Sequence, residues 1–244
     1  LHAELKLKQN LTIQGNLHIS GGIYHSVKVL GDGFVKGDLE CNNLGCLGTL
    51  AVEGGLNAHN ARIIGVTTVA GSLKANQIRI QGQMEVREHA SCQMSRILGA
   101  LDVRGNLSGE EIRVKGYLAT HGDCAAERFY SSGAFHIGGL LNAGIMHIRL
   151  HGASEAKEIG GGQIKVKRPA IHFLHRIFTS VLPHLQAESI EGDDVFLENT
   201  RAKVVRGKRV IIGAGCEIDL VEYQTEYTQS KRSVVKESRK MNGE

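Results

Sequence analysis

Between Leu44 and Ala58 every second residue is apolar or small: Leu44, Cys46, Gly48, Leu50, Val52, Gly54, Leu56, Ala58. The phase then jumps by three to Ala61, and the same register returns along the chain as Ile78, Ile80, Met84 and Val86; Leu101, Val103 and Leu107; Ile112, Val114 and Leu118; Phe135, Ile137 and Leu141. Alternation of period two is the mark of a strand with one face buried, and each jump in phase marks a corner. Two inward residues, a corner, two more, a corner, two more and a shorter corner predict a three-sided coil of very short strands.

Glycine punctuates the alternation. Gly31, Gly48, Gly65, Gly82, Gly99, Gly116 and Gly133 recur at intervals of 17, and a second series, Gly37, Gly54, Gly71, Gly105, Gly122 and Gly139, keeps the same period six residues later. Glu88 occupies the one vacant place in that second series and reads as a tolerated corner. A fixed period of this length is an internal repeat of the solenoid kind, and glycines at two vertices suit a backbone that turns sharply with little room for a side chain. Stacked coils would lie ~4.8 Å apart, each edge pairing with the next. A left-handed hexapeptide helix would step evenly to 18 residues per coil and pectate-lyase-type coils are longer and less regular, whereas this chain steps 6, 6, 5. The fold class expected is all-β, a narrow triangular parallel β-helix.

The pattern divides the chain. Residues 1–10 form a polar leading segment, and residues 11–168 the β-helix, with Ile13, Gly15, Leu17, Ile19, Gly21 and Ile23 in inward register if the first coil is one residue shorter. Residues 169–186 change period: Ile171, Leu174, Phe178 and Leu182 fall on one face of an amphipathic helix that Pro169 would start and Pro183 would end. Such a helix either caps the solenoid or, with Lys165, Lys167, Arg168 and Arg176 around it, docks on a membrane surface or partner. Residues 187–223 read as irregular final β coils, and residues 224–244 as a disordered charged tail.

Composition narrows the function classes. The net charge of +4 is too mild to imply nucleic acid. Trp is absent and only two prolines occur, as suits a thin aliphatic core in which nearly every backbone N–H is needed for a ladder. Of five cysteines, Cys41, Cys46, Cys92 and Cys124 fall on inward parity and read as small core residues, which fits a reducing cytoplasm. No apolar run is long enough to span a membrane and no signal-peptide pattern is visible.

The outer faces carry no pattern of catalytic or metal-binding residues. The carboxylates Glu53, Glu85, Asp102 and Glu110 are not expected to stack into an acid–base cluster, and Asp193–Asp194 beside Gly192 reads as a turn. Twelve histidines show no recurrence from coil to coil, and no histidine or cysteine pair on one face supports a metal site. No phosphate-binding loop is present, so neither a cofactor nor a small-molecule substrate is expected. One outward column does stand out. Arg62, Arg79, Arg96 and Arg113 sit at successive intervals of 17, continued by Tyr130 and His147. Like charges at that spacing are mildly unfavourable, so the column is either a plain solvated face or a surface for an anionic partner: an acidic client protein, a lateral neighbour or anionic lipid.

The units Val35-Lys-Gly37-Asp-Leu39, Val52-Glu-Gly54-Gly-Leu56, Val69-Ala-Gly71-Ser-Leu73 and Val103-Arg-Gly105-Asn-Leu107 resemble the bactofilins, bacterial polymer-forming cytoskeletal proteins. The later block, from Ile190-Glu-Gly-Asp-Asp194 through Val204-Val-Arg-Gly207 and Ile212-Gly-Ala-Gly-Cys-Glu-Ile218 to Val221-Glu-Tyr223, looks like the C-terminal part of longer members found in bacilli. The resemblance implies a right-handed β-helix that assembles with itself, or with a paralogue, end to end into nucleotide-independent filaments. It further implies a non-enzymatic scaffold for envelope or motility machinery, cytoplasmic or peripheral at the inner face of the cell membrane. The 169–186 insertion and the irregular later block depart from the compact family pattern, and residues 1–10 lack the apolar tail that family members often use for membrane contact. A carbohydrate-active or acyl-transferring β-helix enzyme is the alternative.

Overall fold

The computed structural model describes residues 9–168 and 183–241. Every regular element among them is a strand, and the strands pair in parallel as a β-solenoid of roughly 17 residues per turn. The predicted helix, with Ile171, Leu174 and Phe178 through Leu182, lies outside the described residues. The chain divides into two compact units, one ending at Gly109 and one beginning at Glu110.

In the first unit the strands β1 (Asn10–Ile13), β2 (Asn16–Val29) and β3 (Asp32–Cys46) lead into pairs of short and longer strands: β4 (Thr49–Val52) and β5 (Leu56–Ile63), β6 (Val66–Val69) and β7 (Leu73–Ile80), β8 (Gln83–Val86) and β9 (Ala90–Ile97), then β10 (Ala100–Val103). Thr49 lies beside Val66, Val66 beside Gln83 and Gln83 beside Ala100, each a step of one full period. β5 carries two sides of the triangle, because His59 and Asn60 are consecutive exposed residues where the inward phase skips. Each coil thus places six side chains inside, such as Leu50, Val52, Leu56, Ala58, Ala61 and Ile63, all at most 5% exposed. The cysteines belong to this filling: Cys41, Cys46, Cys92, Cys124 and Cys216 are free and buried. Burial pushes the thiol of Cys92 up to about 11 and that of Cys124 to about 12, so both stay protonated and unreactive.

The first coil is short by one residue, as the spacing predicts: Leu17 pairs with Gly33, 16 residues on, until an irregularity between Ser20 and Gly22 restores the full step. That same irregularity overturns the expectation for Ile23. Tyr24 now lies beside the buried Cys41, and Ile23 faces outward, 58% exposed.

The glycine series has a steric cause between coils rather than within the turn. A Cβ on Gly48, Gly65, Gly82 or Gly99 would fall within 3.0 Å of a backbone oxygen of the preceding coil's corner. Gly37 differs, because its φ of 92° is what demands glycine there. Gly54, Gly71 and Gly105 are likewise closed by neighbouring backbone.

The second unit begins within β11 (Leu107–Val114) and continues through β12 (Tyr117–Thr120), β13 (Cys124–Ser131), β14 (Ala134–Arg149), β15 (Ser154–Lys167), β16 (Leu185–Leu197), β17 (Thr200–Ile212), β18 (Glu217–Gln229) and β19 (Val234–Lys240). Residues 187–223 continue the coils with uneven steps, including a register irregularity between Gly207 and Arg209. Ile190 pairs with Val205 and Val205 with Val221, so these coils are one or two residues shorter, which breaks the glycine period without breaking the ladder. Ile159 pairs with Ile190, a step of 31 residues. The Arg168 N–H donates to Glu198 Oε2 at 3.0 Å, and Asn199 Nδ2 donates to the Pro183 carbonyl at 3.3 Å. Asn199 itself sits at φ 45°, a conformation that asparagine tolerates better than most residues.

The expectation of a disordered tail over 224–244 is overturned for its described part. β18 runs to Gln229, and β19 adds a parallel strand over Val234–Lys240. Polarity misled the reading, because β19 has almost no buried surface and is held instead by backbone pairing and ion pairs.

Replacing Gly82 by alanine should lower stability by about 2–3 kcal/mol. Gly45 has open space where its Cβ would be, and its replacement by alanine should change stability by less than about 0.5 kcal/mol. Denaturant unfolding of the two variants checks both, and equal costs would contradict the inter-coil account of the glycine series.

Candidate functional site

Register places Arg62 beside Arg79 and Arg79 beside Arg96, as the period predicts. They form one wall of a groove of about 380 Å³ in the first unit, with Asn43, Asn60, Gln77 and Met94 as the other wall and the buried Ala61 and Ile78 between them. The two walls are the outward positions on either side of the inward Ala61 and Ile78 in β5 and β7. An amide column lines it: Asn60 Nδ2 donates to Asn43 Oδ1 at 3.2 Å. Arg62 Nη2 donates to Gln81 Oε1 at 3.3 Å. Among the described residues neither Arg79 nor Arg96 has an ion pair or side-chain hydrogen bond.

Arg113 belongs to the second unit and has different surroundings. Its Nε lies 2.6 Å from Glu111 Oε1, and its guanidinium sits 4.5 Å above the Tyr130 ring, whose edge meets His147 at 5.7 Å. Glu111 also accepts from Arg128 Nε at 3.3 Å. Hydrogen bonding from Arg113, then from Arg128, holds the Glu111 carboxyl below its usual range. The four arginines named by the sequence therefore differ in charge compensation, and among the described residues Arg113 alone of the four meets a carboxylate.

The expectation that outer carboxylates do not stack is corrected at one pair. Asp102 lies directly beside Glu85 in the ladder of β8 and β10. Both are met by cations: Arg104 Nε is 3.8 Å from Glu85 Oε1 and 3.9 Å from Asp102 Oδ1, and Arg87 Nε is 3.9 Å from Glu85. The interval of 17 between the two carboxylates, and between the two arginines, was the available signal. Asp193 and Asp194 flank a corner of β16 and are paired with Lys208 at 3.0 Å and Arg209 at 2.8 Å of the following coil.

A larger groove of about 920 Å³ in the second unit is lined by His136, Glu155, Lys157, Glu188, Arg201, Lys203, Glu217, Asp219 and Lys236, among others. Its carboxylates are tied to cations: Glu188 to Lys203 at 3.0 Å, Glu217 to Arg201 at 3.1 Å and Asp219 to Lys236 at 2.7 Å. This is a ladder of alternating charge on successive coils. Among the described residues no three His, Cys, Asp or Glu side chains are grouped to hold a metal ion, and no helix is long and apolar enough to cross a membrane.

The most buried ion pair was not anticipated. Glu222, with 8% of its side chain exposed, accepts from Arg239 of the following coil and Arg206 of the preceding one. Hydrogen bonds first from Arg239 and then from Arg206 hold its carboxyl below the ordinary value, against the opposing effect of burial. Arg206, Glu222 and Arg239 recur at steps of 16 and 17, a signal obscured by the reading of residues beyond 223 as a tail.

Against known proteins, the chain is 46% identical over 104 residues to the uncharacterized protein YhbF of Bacillus subtilis and 45% identical over 107 residues to the uncharacterized protein YhbE of the same organism. The matches span 42% and 43% of this chain, and 42% and 44% of those proteins. No family model matches the chain, and no solved structure matches it significantly.

Glu222 yields a pH dependence with a defined sign. Its pKa is depressed on folding, so its stabilisation is complete above the ordinary value near 4.5 and is lost as pH falls through the lower folded value. Acidification should therefore release β19 before the aliphatic coils open. Glu222→Gln should produce the same local loosening at neutral pH, by about 1–3 kcal/mol. Amide exchange along Val234–Lys240 reads both, and unchanged protection in the variant would contradict the clamp.

Proposed function

We propose that this chain is a non-enzymatic scaffold that assembles end to end into filaments without nucleotide, organising envelope or motility machinery of a bacterium as the bactofilin resemblance implies. The observation that carries the reading is the pair of open strand edges. Among the described residues β1 pairs only with β2, and β19 only with β18, so each presents a row of backbone donors and acceptors on its outer side. A solenoid satisfies such edges by stacking a further coil, and a second copy supplies one.

The inward residues of the terminal coils support the same reading. Leu17 lies on the core side, beside Gly33, yet is 39% exposed because its coil is incompletely covered. In β19 the inward place beside Ile218 is taken by Val235, which is only half-buried. Stacking one end on another would bury both. Glu188, Glu217 and Asp219 of the larger groove are committed to neighbouring cations, so that groove favours a surface role over the alternative of acid–base chemistry on a polysaccharide.

Negative-stain electron microscopy of purified chain in buffer containing a chelator and no nucleotide should show filaments. A charge on the inward face of both terminal coils, Leu17→Glu with Val235→Glu, should shorten or abolish them while leaving the coils folded. A wild-type chain that stays monomeric at micromolar concentration across ordinary salt would overturn the proposal.

A further inference from the structure

The first unit carries an aliphatic ridge alongside its arginine column. Leu47, Ile64, Gln81 and Leu98 each donate their N–H to the residue just before the equivalent position of the preceding coil, to Val29, Cys46, Ile63 and Ile80, so Leu30, Leu47, Ile64, Gln81 and Leu98 stack one per coil. They stand at the vertex just before the glycine corner and point outward. Leu30, Leu47, Ile64 and Leu98 are 40%, 51%, 41% and 39% exposed. Two residues earlier in each coil runs the cationic column Lys28, Gly45, Arg62, Arg79, Arg96. Over four coil steps the ridge is roughly 19 Å long.

The face beyond the arginines is poor in carboxylates. In successive coils its outward residues are Asn57, His59, Asn60 and Arg62; Lys74, Asn76, Gln77 and Arg79; Ser91, Gln93, Met94 and Arg96, and within the first unit the acid at equivalent positions is Glu40, with Glu110 and Glu111 following where the second unit begins. No Asp or Glu occurs from Gly54 to Met84. The one break in the ridge, Gln81, serves the cations by accepting from Arg62.

We infer that this edge docks on an anionic phospholipid surface, the aliphatic vertex entering the headgroup layer and the arginines meeting lipid phosphates. A convex apolar ridge flanked by cations is the arrangement of an interfacial amphipathic element, here built from stacked coils instead of a helix. The contact recurs with the coil period, interrupted at Gly45 in the cationic column and at Gln81 in the ridge, so it carries little register along the axis. A fluid surface needs none, whereas a folded protein partner does. A second copy offers no matching acidic column in the first unit, because Glu85 and Asp102 are engaged by Arg87 and Arg104.

The test is vesicle flotation, which separates lipid-bound chain from filaments that would sediment unaided. It is run with wild-type chain and with the Leu17→Glu/Val235→Glu variant, so that loss of assembly and loss of lipid binding are read apart. Chain should float with vesicles containing phosphatidylglycerol, and binding to pure phosphatidylcholine should be weak. Neutralising Arg62, Arg79 and Arg96 to glutamine should reduce partitioning on the order of a hundredfold, and changing Leu47, Ile64 and Leu98 to serine should reduce it at least about tenfold. Completing the ridge with Gln81→Leu should raise it several-fold, a gain that no folding defect can mimic. Equal flotation with neutral and anionic vesicles, no flotation of folded chain, or variants that lose lateral filament bundling while floating like wild type would each overturn the proposal.

Discussion

Every feature of both units depends on the parallel backbone ladder that joins one coil to the next at ~4.8 Å. Because successive coils must pair residue for residue, a position in one coil fixes the surroundings of its equivalents above and below. Ile63 pairs with Ile80 and Ile80 with Ile97, each fully buried, so the interior is built from columns more than from local clusters. The glycine series follows from the same constraint. At that vertex the carbonyl of one coil occupies the volume a Cβ of the next would need, and each glycine therefore makes its successor obligatory. Where coils shorten, as between β16 and β17, the same clash persists at the shorter step, a Cβ on Gly207 meeting the Gly192 oxygen at 2.8 Å, so glycine ceases to recur at 17 while pairing continues.

The thin core sets what side chains are admitted. With two inward residues per side, there is room for Ala, Val, Leu, Ile and Cys, and larger rings enter at few places, as where Phe129 and Phe135 meet edge to face at 5.5 Å. The buried thiols are consistent with this. They replace alanine or isoleucine in core columns, and desolvation keeps them protonated. Such a coil leaves no space inside for catalytic or metal-binding chemistry, so among the described residues the surfaces open to interaction are the outer columns and the strand edges.

The sequence made the columns legible because period and register are the same quantity in a solenoid. The inward positions, the short first coil, the buried cysteines and the stacking of Arg62, Arg79 and Arg96 could all be read from intervals alone. Three features could not. The parity change after Ser20 needs a backbone irregularity that no residue type announces, and it sent Ile23 outward. The strand β19 is stabilised by pairing and by the Arg206–Glu222–Arg239 clamp, so its composition resembles that of a solvated tail. The free or paired state of an arginine depends on neighbours in the adjoining coil and two residues along the strand, which separates Arg79 from Arg113 although both occupy the same place in the repeat.

This last distinction bears on what the surfaces are for. In the second unit cations and carboxylates alternate between coils: Glu188 with Lys203, Asp194 with Arg209, Arg201 with Glu217, Asp219 with Lys236. Each such pair is exposed and screened by solvent, but together they convert like-charge repulsion between neighbouring strands into attraction. The first unit does the opposite along one edge, placing arginine beside arginine and leucine or isoleucine beside its own kind in water. Neither arrangement favours the isolated fold, since stacked cations repel and exposed aliphatic vertices gain nothing from solvent. The same ladder that makes the second unit's surface self-compensating makes this edge accumulate uncompensated charge and apolar area at every coil. The proposed anionic surface, polar and apolar within the same few ångströms, would relieve both costs at once.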